Sequence, residues 1–164
     1  MSRDNEIRIV AELEGLGAWC RSRGDYERTG CHASFFLEPD TLLPALSLLL
    51  ERGYFLEDIS GVDVAEGIML AYHLDCYDRA ERVVLRLVVP HDRKRAPSAV
   101  PVYSGANWHE RECFDFFGVV FEGHPDLKPL LLPDDLGVHP LIKETGRKPL
   151  HGLLPLWQLV DNKP

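Results

Sequence analysis

No lysine occurs among residues 1–82, no CxxC pair joins the four cysteines, and no apolar run approaches the length of a membrane span. Each absence excludes something. With 26 acidic against 18 basic residues, the chain lacks the Lys/Arg surplus that neutralises phosphates, so a basic nucleic-acid module is excluded. Cys20, Cys31, Cys76 and Cys113 show no short ligand spacing, which argues against a zinc ribbon or an iron–sulfur site built by this chain alone. The longest apolar run, Leu42 to Leu50, is broken by Ser47 and falls far below the roughly 20 residues that cross a bilayer. The charged start, Met1-Ser2-Arg3-Asp4-Asn5-Glu6, leads into no secretory core. A soluble, cytoplasmic chain with reduced thiols is expected. GxGxxG, GxxxxGK[ST] and GxSxG are absent too, so nucleotide cradling and nucleophilic hydrolysis lack their usual supports.

The charge that is present is unevenly spread. Residues 1–82 hold 16 acidic and 8 basic residues, whereas residues 83–164 hold 10 of each together with 10 of the 12 prolines. Within the first half, Ile9, Leu13, Leu16 and Cys20 recur at helical spacing and predict a helix over 4–23, ended by Gly24. Phe35-Phe36-Leu37 reads as a short strand. A second helix opens at Pro39-Asp40-Thr41, capped by Asp40 or Thr41, tolerates Pro44 in its first turn and stops at Gly53. Residues 54–64, 68–77 and 82–90 alternate as three strands with short connections, hence an antiparallel meander, in which Val83, Leu85, Leu87 and Val89 share one face. After a basic loop at 91–97, Ser104 or Asn107 caps a third helix reaching Phe117, with Gly118 ending it. Seven prolines between 125 and 164 leave no helical stripe or useful alternation, yet Leu130-Leu131-Leu132 and Leu153-Leu154-Pro155-Leu156-Trp157 are too apolar for a solvated tail. The expected organisation is therefore an α/β domain over 1–121 and an extended arm over 122–164 that packs on a partner.

Chemistry-bearing side chains concentrate in the third helix. His109, Glu112 and Cys113 fall at i, i+3 and i+4, which can gather three ligands on one face, although the pattern is not HExxH. A stand-alone metal enzyme using these three residues is one reading, and a polar helix face is the blander one. Glu110, Glu112 and Asp115 offer paired carboxylates, but Arg111 and Asp115 at i, i+4 predict an ion pair along the helix, with Glu110 and Glu112 free to meet the basic loop at 93–95 or a partner. Gly123-His124-Pro125-Asp126 forms a turn in which a hydrogen bond from His124 is expected.

The 26 residues from Glu110 to Asp135, reading ERECFDFFGVVFEGHPDLKPLLLPDD, closely resemble the signature of the thirty-kilodalton subunit family of respiratory complex I. This family includes the C subunit of bacterial NADH–quinone oxidoreductases. The resemblance extends over residues 1 to about 145 and implies a two-layer α+β domain, order α-β-α-β-β-β-α, with a mainly antiparallel sheet and a carboxy-terminal arm. It implies a scaffold subunit without flavin, cluster, metal or other cofactor and without catalytic residues, docked to the large quinone-site subunit and neighbouring iron–sulfur subunits at the cytoplasmic face of the membrane. Membrane association is then indirect. Related subunits occur in energy-converting hydrogenases, formate hydrogenlyases and coenzyme-F420-linked reductases, which are the alternative settings. The matching positions Glu110, Arg111, Glu112, Asp115, Gly118, Gly123, His124, Pro125, Asp126 and Lys128 carry over as fold-fixing and interface residues, as do Pro140 and Lys143. Where the family has PLRKD with a tyrosine, this chain reads Pro140-Leu141-Ile142-Lys143-Glu144, so the contact made by that loop differs.

Overall fold

The computed structural model describes residues 9–23 and 26–150, without the side chains of 20–23. In chain order the elements are α1 (Ile9–Gly15), β1 (Cys20–Arg23), α2 (Tyr26–Thr29), β2 (Ala33–Phe36), α3 (Pro39–Glu51), β3 (Tyr54–Val64), β4 (Gly67–Cys76), β5 (Val83–Val89), β6 (Arg95–Pro97), α4 (Ala106–Phe117) and β7 (Val120–Glu122). Five strands form one sheet in the order β1-β2-β5-β4-β3, while β6 and β7 pair in parallel beside it. β3, β4 and β5 make the expected antiparallel meander, and β2 joins β5 in parallel. The mixed α/β, mainly antiparallel architecture is the one the sequence predicts.

Alternation places the core. Ile68, Leu70, Tyr72 and Leu74 of β4 and Val83, Leu85, Leu87 and Val89 of β5 face α1, α3 and α4, where Ile9, Leu13, Leu42, Leu46, Leu49 and Phe117 meet them. The odd residues of β4 turn to the second face, where Met69 packs with Phe36 and Val64 and Ala71 with Cys31 and Val84. At one point helix and sheet approach so closely that only glycine fits: a β-carbon on Gly61 of β3 would lie 2.6 Å from the Phe117 ring.

Three expectations are corrected. The first helix does not continue to residue 23: it ends at Gly15, the chain turns through Gly17 at φ 97°, and residues 20–23 become a strand paired with β2. Two glycines in three residues end the helix, and pairing with β2 satisfies the backbone that follows. Leu16 is consequently exposed, and the predicted residues 4–8 lie outside the described part. Second, α3 is capped by neither Asp40 nor Thr41; Glu38 is the N-cap and Pro39 the first helical residue, so Asp40 sits in the first turn, where its charge suits the helix dipole. Third, Gly105, not Ser104 or Asn107, precedes α4, with no side-chain cap. Gly118 ends α4 as expected, in the left-handed conformation.

Beyond Glu122 the chain is irregular, as its prolines predict, but through residue 150 it lies back across its own domain. Leu127 and Ile142 pack against the main core, and Leu150 packs against Phe36, Val64 and Met69 on the second face of the sheet. No helix among the described residues is long and apolar enough to cross a membrane.

Candidate functional site

The polar residues of α4 divide between the domain interior and the arm. Glu110 is fully buried, and its carboxylate accepts hydrogen bonds from the Ser98 hydroxyl at 2.7 Å and the Ala99 amide at 2.5 Å. It does not reach the basic loop at 93–95; a charge on this inward face of the helix is met by the main chain that leads into it. Burial pushes its pKa up to about 7 against the lowering effect of those two bonds. His124 lies close, with Nε2 4.0 Å from Glu110 and both side chains sealed from solvent. The Asp126 amide donates to His124 Nδ1 at 3.0 Å, so Nδ1 is the accepting nitrogen and Nε2 is the one turned toward Glu110. The Tyr72 hydroxyl is buried near this group with no hydrogen-bond partner among the described residues, and burial, reinforced by the nearby Glu110 carboxylate, raises its pKa well above the usual value.

Arg111 and Asp115 do not pair with each other. Arg111 donates through Nε to the Lys128 carbonyl at 3.0 Å and through its terminal nitrogen to the Pro129 carbonyl at 2.9 Å, while its guanidinium stacks over Trp108. Asp115, also buried, accepts three successive amides from Leu130, Leu131 and Leu132 at 2.8, 2.7 and 3.2 Å. The arm thus supplies better-placed partners than a neighbour one helical turn away. The last carbonyls of α4, which have no partner inside the helix, are also met from outside it. His139 Nδ1 donates to the Asp115 carbonyl at 2.8 Å and the Leu141 amide to that of Phe116 at 3.1 Å. Gly118 is needed twice here: its φ is 71°, and a β-carbon would lie 2.6 Å from the His139 ring.

A third anchor is built on an acid that the sequence does not single out, although one of its partners, Lys143, is a motif position. Asp63, at the end of β3 and almost wholly buried, accepts from His91 Nε2 at 2.7 Å, from the Lys143 amide at 2.7 Å and from Arg147 Nε at 3.0 Å. Burial alone would raise its pKa, but these three donors together hold it below the ordinary carboxylate range. Lys143 adds a bond from Nζ to the Asp63 carbonyl, and Glu66 accepts the Leu150 amide. The only available signal is an acid in the acidic half and cations some 80 residues later, which no local pattern connects.

Of the remaining motif positions, Gly123 makes the turn after β7 at φ 85°, Pro125 follows within that turn, Lys128 pairs with exposed Asp126 at 2.7 Å, and Pro140 is exposed on the arm. His109, Glu112 and Cys113 do not converge on one point: His109 Nδ1 reaches Asp58 at 3.3 Å, the buried Cys113 thiol points to the Ile59 carbonyl, and Glu112 faces solvent. Among the described residues no group of three or more His, Cys, Asp or Glu side chains is placed to hold a metal. What the arm does present outward is apolar: Leu131, Leu136, Val138 and Leu141 are 43–63% exposed, and Trp108 of α4 is equally open.

Comparison with known proteins completes the description. Residues 35–149 match the family model described as the 30 kDa subunit of respiratory-chain NADH dehydrogenase. The C subunit of NADH-quinone oxidoreductase from Nocardioides sp. is 37% identical over 119 residues, covering 68% of this chain and 48% of that protein. The same-named subunit of Roseiflexus sp. is 35% identical over 118 residues, 68% of each chain. The C subunit of F420H2 dehydrogenase from Methanosarcina mazei is 44% identical over 89 residues, 52% of this chain and 56% of the relative. The chain therefore spans about half the length of the first and third. Among solved structures, a trypsin-resistant fragment (1–134) of Nqo5 superposes with a TM-score of 0.63 at 28% identity, covering 73% of this chain and 97% of the fragment. A chain of the membrane-bound sulfane sulfur reductase, an archaeal respiratory membrane complex, shares the fold with a TM-score of 0.70 at 24% identity over 95% of this chain and 93% of its own.

Proposed function

The chain belongs to the family of the 30 kDa subunit of respiratory-chain NADH dehydrogenase, and on that premise we propose that it is a cofactor-free structural subunit of a complex-I-type electron-transfer assembly, docked to the large quinone-site subunit. Its work is positional. The α/β domain supplies the platform, and the arm that follows it from residue 122 meets partner subunits at the cytoplasmic face of the membrane.

One observation carries this reading. The arm is tied down by carboxylates at Asp115 and Asp63, yet it turns Leu131, Leu136, Val138 and Leu141 outward. Fixing a segment costs chain entropy, and leaving its large apolar side chains in water recovers little of that cost. A second protein surface that covers them would recover more, and depletion of charge with exposed aliphatic and aromatic side chains is the composition of an interface centre. Glu110, Arg111, Asp115 and His124 act behind that surface by holding its shape.

Replacing Leu131 and Val138 together by aspartate tests the reading. The isolated chain should fold as before, because both side chains are exposed, whereas recovery of the tagged chain with the large subunit from solubilised membranes should collapse. Unchanged recovery would remove the arm from the interface. A second reading keeps the role and changes the donor: the 44% identity to a subunit of an F420H2 dehydrogenase favours an assembly fed by a reduced deazaflavin as much as by NADH.

A further inference from the structure

We propose that the groove between the outer edge of β3 and α4 receives an extended segment of a partner subunit, with a lysine or arginine side chain seated between Asp58 and Glu112. The inference rests on the reading of the chain as a docked subunit and names a second contact of that role, which adjoins the outward face of the arm and shares only Leu141 with it.

β3 is the last strand of the sheet, 11 residues long, and no described strand pairs with its outer edge. A long unpaired edge is a template for another chain, and folded proteins normally cover or blunt it. Here α4 covers it only in part. The Cys113 thiol reaches the Ile59 carbonyl at 3.7 Å, a weak donor for a strand acceptor. Beside this contact runs an open groove of about 240 Å³ whose apolar lining comes from Ile59, Phe116, Phe117 and Leu141. Leu141 belongs to the arm and is held there by its bond to the Phe116 carbonyl. The groove therefore exists in this form only when the arm is seated.

Charge selects the occupant. Asp58 and Glu112 both line the groove, and Asp58 is met by the His109 imidazole of α4 at 3.3 Å, with no Lys or Arg side chain against it among the described residues. In the Glu110-Arg111-Glu112 triplet, the first residue is bound inside the domain and the second holds the arm, but Glu112 is exposed and makes no hydrogen bond or ion pair among the described residues. Two carboxylates at a mixed polar and apolar slot, beside a strand edge that no described strand pairs, suit main-chain pairing together with one long cationic side chain whose methylenes lie on Phe116 and Leu141.

The test uses the assembled complex purified from membranes, with p-benzoylphenylalanine placed at position 141 in one preparation and at position 138 in another. Irradiation of the 141 preparation should join the chain to a partner peptide that contains Lys or Arg. Glu112→Lys should lower recovery of the complex about ten-fold, and changing the identified partner cation to Glu should restore it. Cross-linking from 138 with none from 141 overturns the groove proposal and leaves the docked-subunit reading intact. Absence of partner cross-links from both positions overturns both. A cross-link from 141 to residues 151–164 of the same chain, or to a second copy of it, also overturns the proposal, because the groove would then have a different occupant.

Discussion

Glu110→Gln should make the folding stability of this chain less dependent on pH, and the structure sets the size of the effect. The carboxyl is buried with two donors, and no Lys or Arg side chain pairs with it among the described residues. Its pKa rises from 4.5 to about 7 on folding. Between those values the folded protein holds a proton that the unfolded chain has released. The contribution is therefore most favourable below pH 4.5, is lost as pH rises to about 7, and is constant above that. At about 1.4 kcal/mol per pH unit the full loss is about 3 kcal/mol. Glutamine has the same shape, can keep the Ala99 amide on its oxygen and can offer its own amide to the Ser98 oxygen, but carries no charge. Urea denaturation of both proteins at pH 5, 6, 7 and 8 and fixed ionic strength reads this group as the difference between the two curves, since titrations remote from it are common to both. Over this window, which leaves out the part of the loss below pH 5, the wild-type curve should fall relative to the variant by about 2.5 kcal/mol. Parallel curves would refute the burial argument.

The anchors of the arm yield further expectations. Asp63→Ala removes the acceptor shared by His91, Lys143 and Arg147, and trypsin should then cut after Lys143 and Arg147 at least about ten-fold faster, since a single charge-assisted bond is worth about 1.5–3 kcal/mol; an unchanged cleavage rate would show that the arm is held elsewhere. For the same reason the Lys143 amide of the wild-type protein should lose hydrogen-exchange protection as pH falls through the lowered Asp63 pKa, the direction set by a carboxylate whose folded form is the ionised one. Asp115→Ala should cost about 3 kcal/mol and speed amide exchange at Leu130, Leu131 and Leu132 before any other part of the chain. Gly118→Ala should cost about 2 kcal/mol, from left-handed strain plus displacement of the His139 ring, and in a His139→Ala background the cost should fall to about 1 kcal/mol.

How far the sequence can be read depends on the distance over which each residue acts. β3, β4 and β5 lie within one residue of their expected limits because alternation is a local signal and both faces of the sheet are packed. α4 ends where Gly118 says it should for an equally local reason. Spacing misleads over 16–23 because Leu16 and Cys20 continue a helical stripe, while the deciding factors, a glycine turn and a strand partner at 33–36, are a conformational and a distant effect. Arg111 and Asp115 illustrate the same limit at the site: their spacing on the helix permits a pair, but main-chain groups 15 to 18 residues away compete successfully for both. Glu110 reads as a surface charge because nothing in its neighbours along the chain reports that Ser98 and Ala99 enclose it. Asp63 carries no signal at all. Its partners arrive from His91 and from an arm whose prolines suggest only that it is extended.

The most direct measurement of the central claim is affinity purification of the tagged full-length chain from gently solubilised membranes of its own source, followed by identification of the proteins recovered with it. Stoichiometric recovery with a large quinone-site subunit and iron–sulfur subunits is expected, with cofactor signals that disappear when the chain is separated from them. Recovery of the chain alone, or with a tightly bound metal of its own, would contradict that claim.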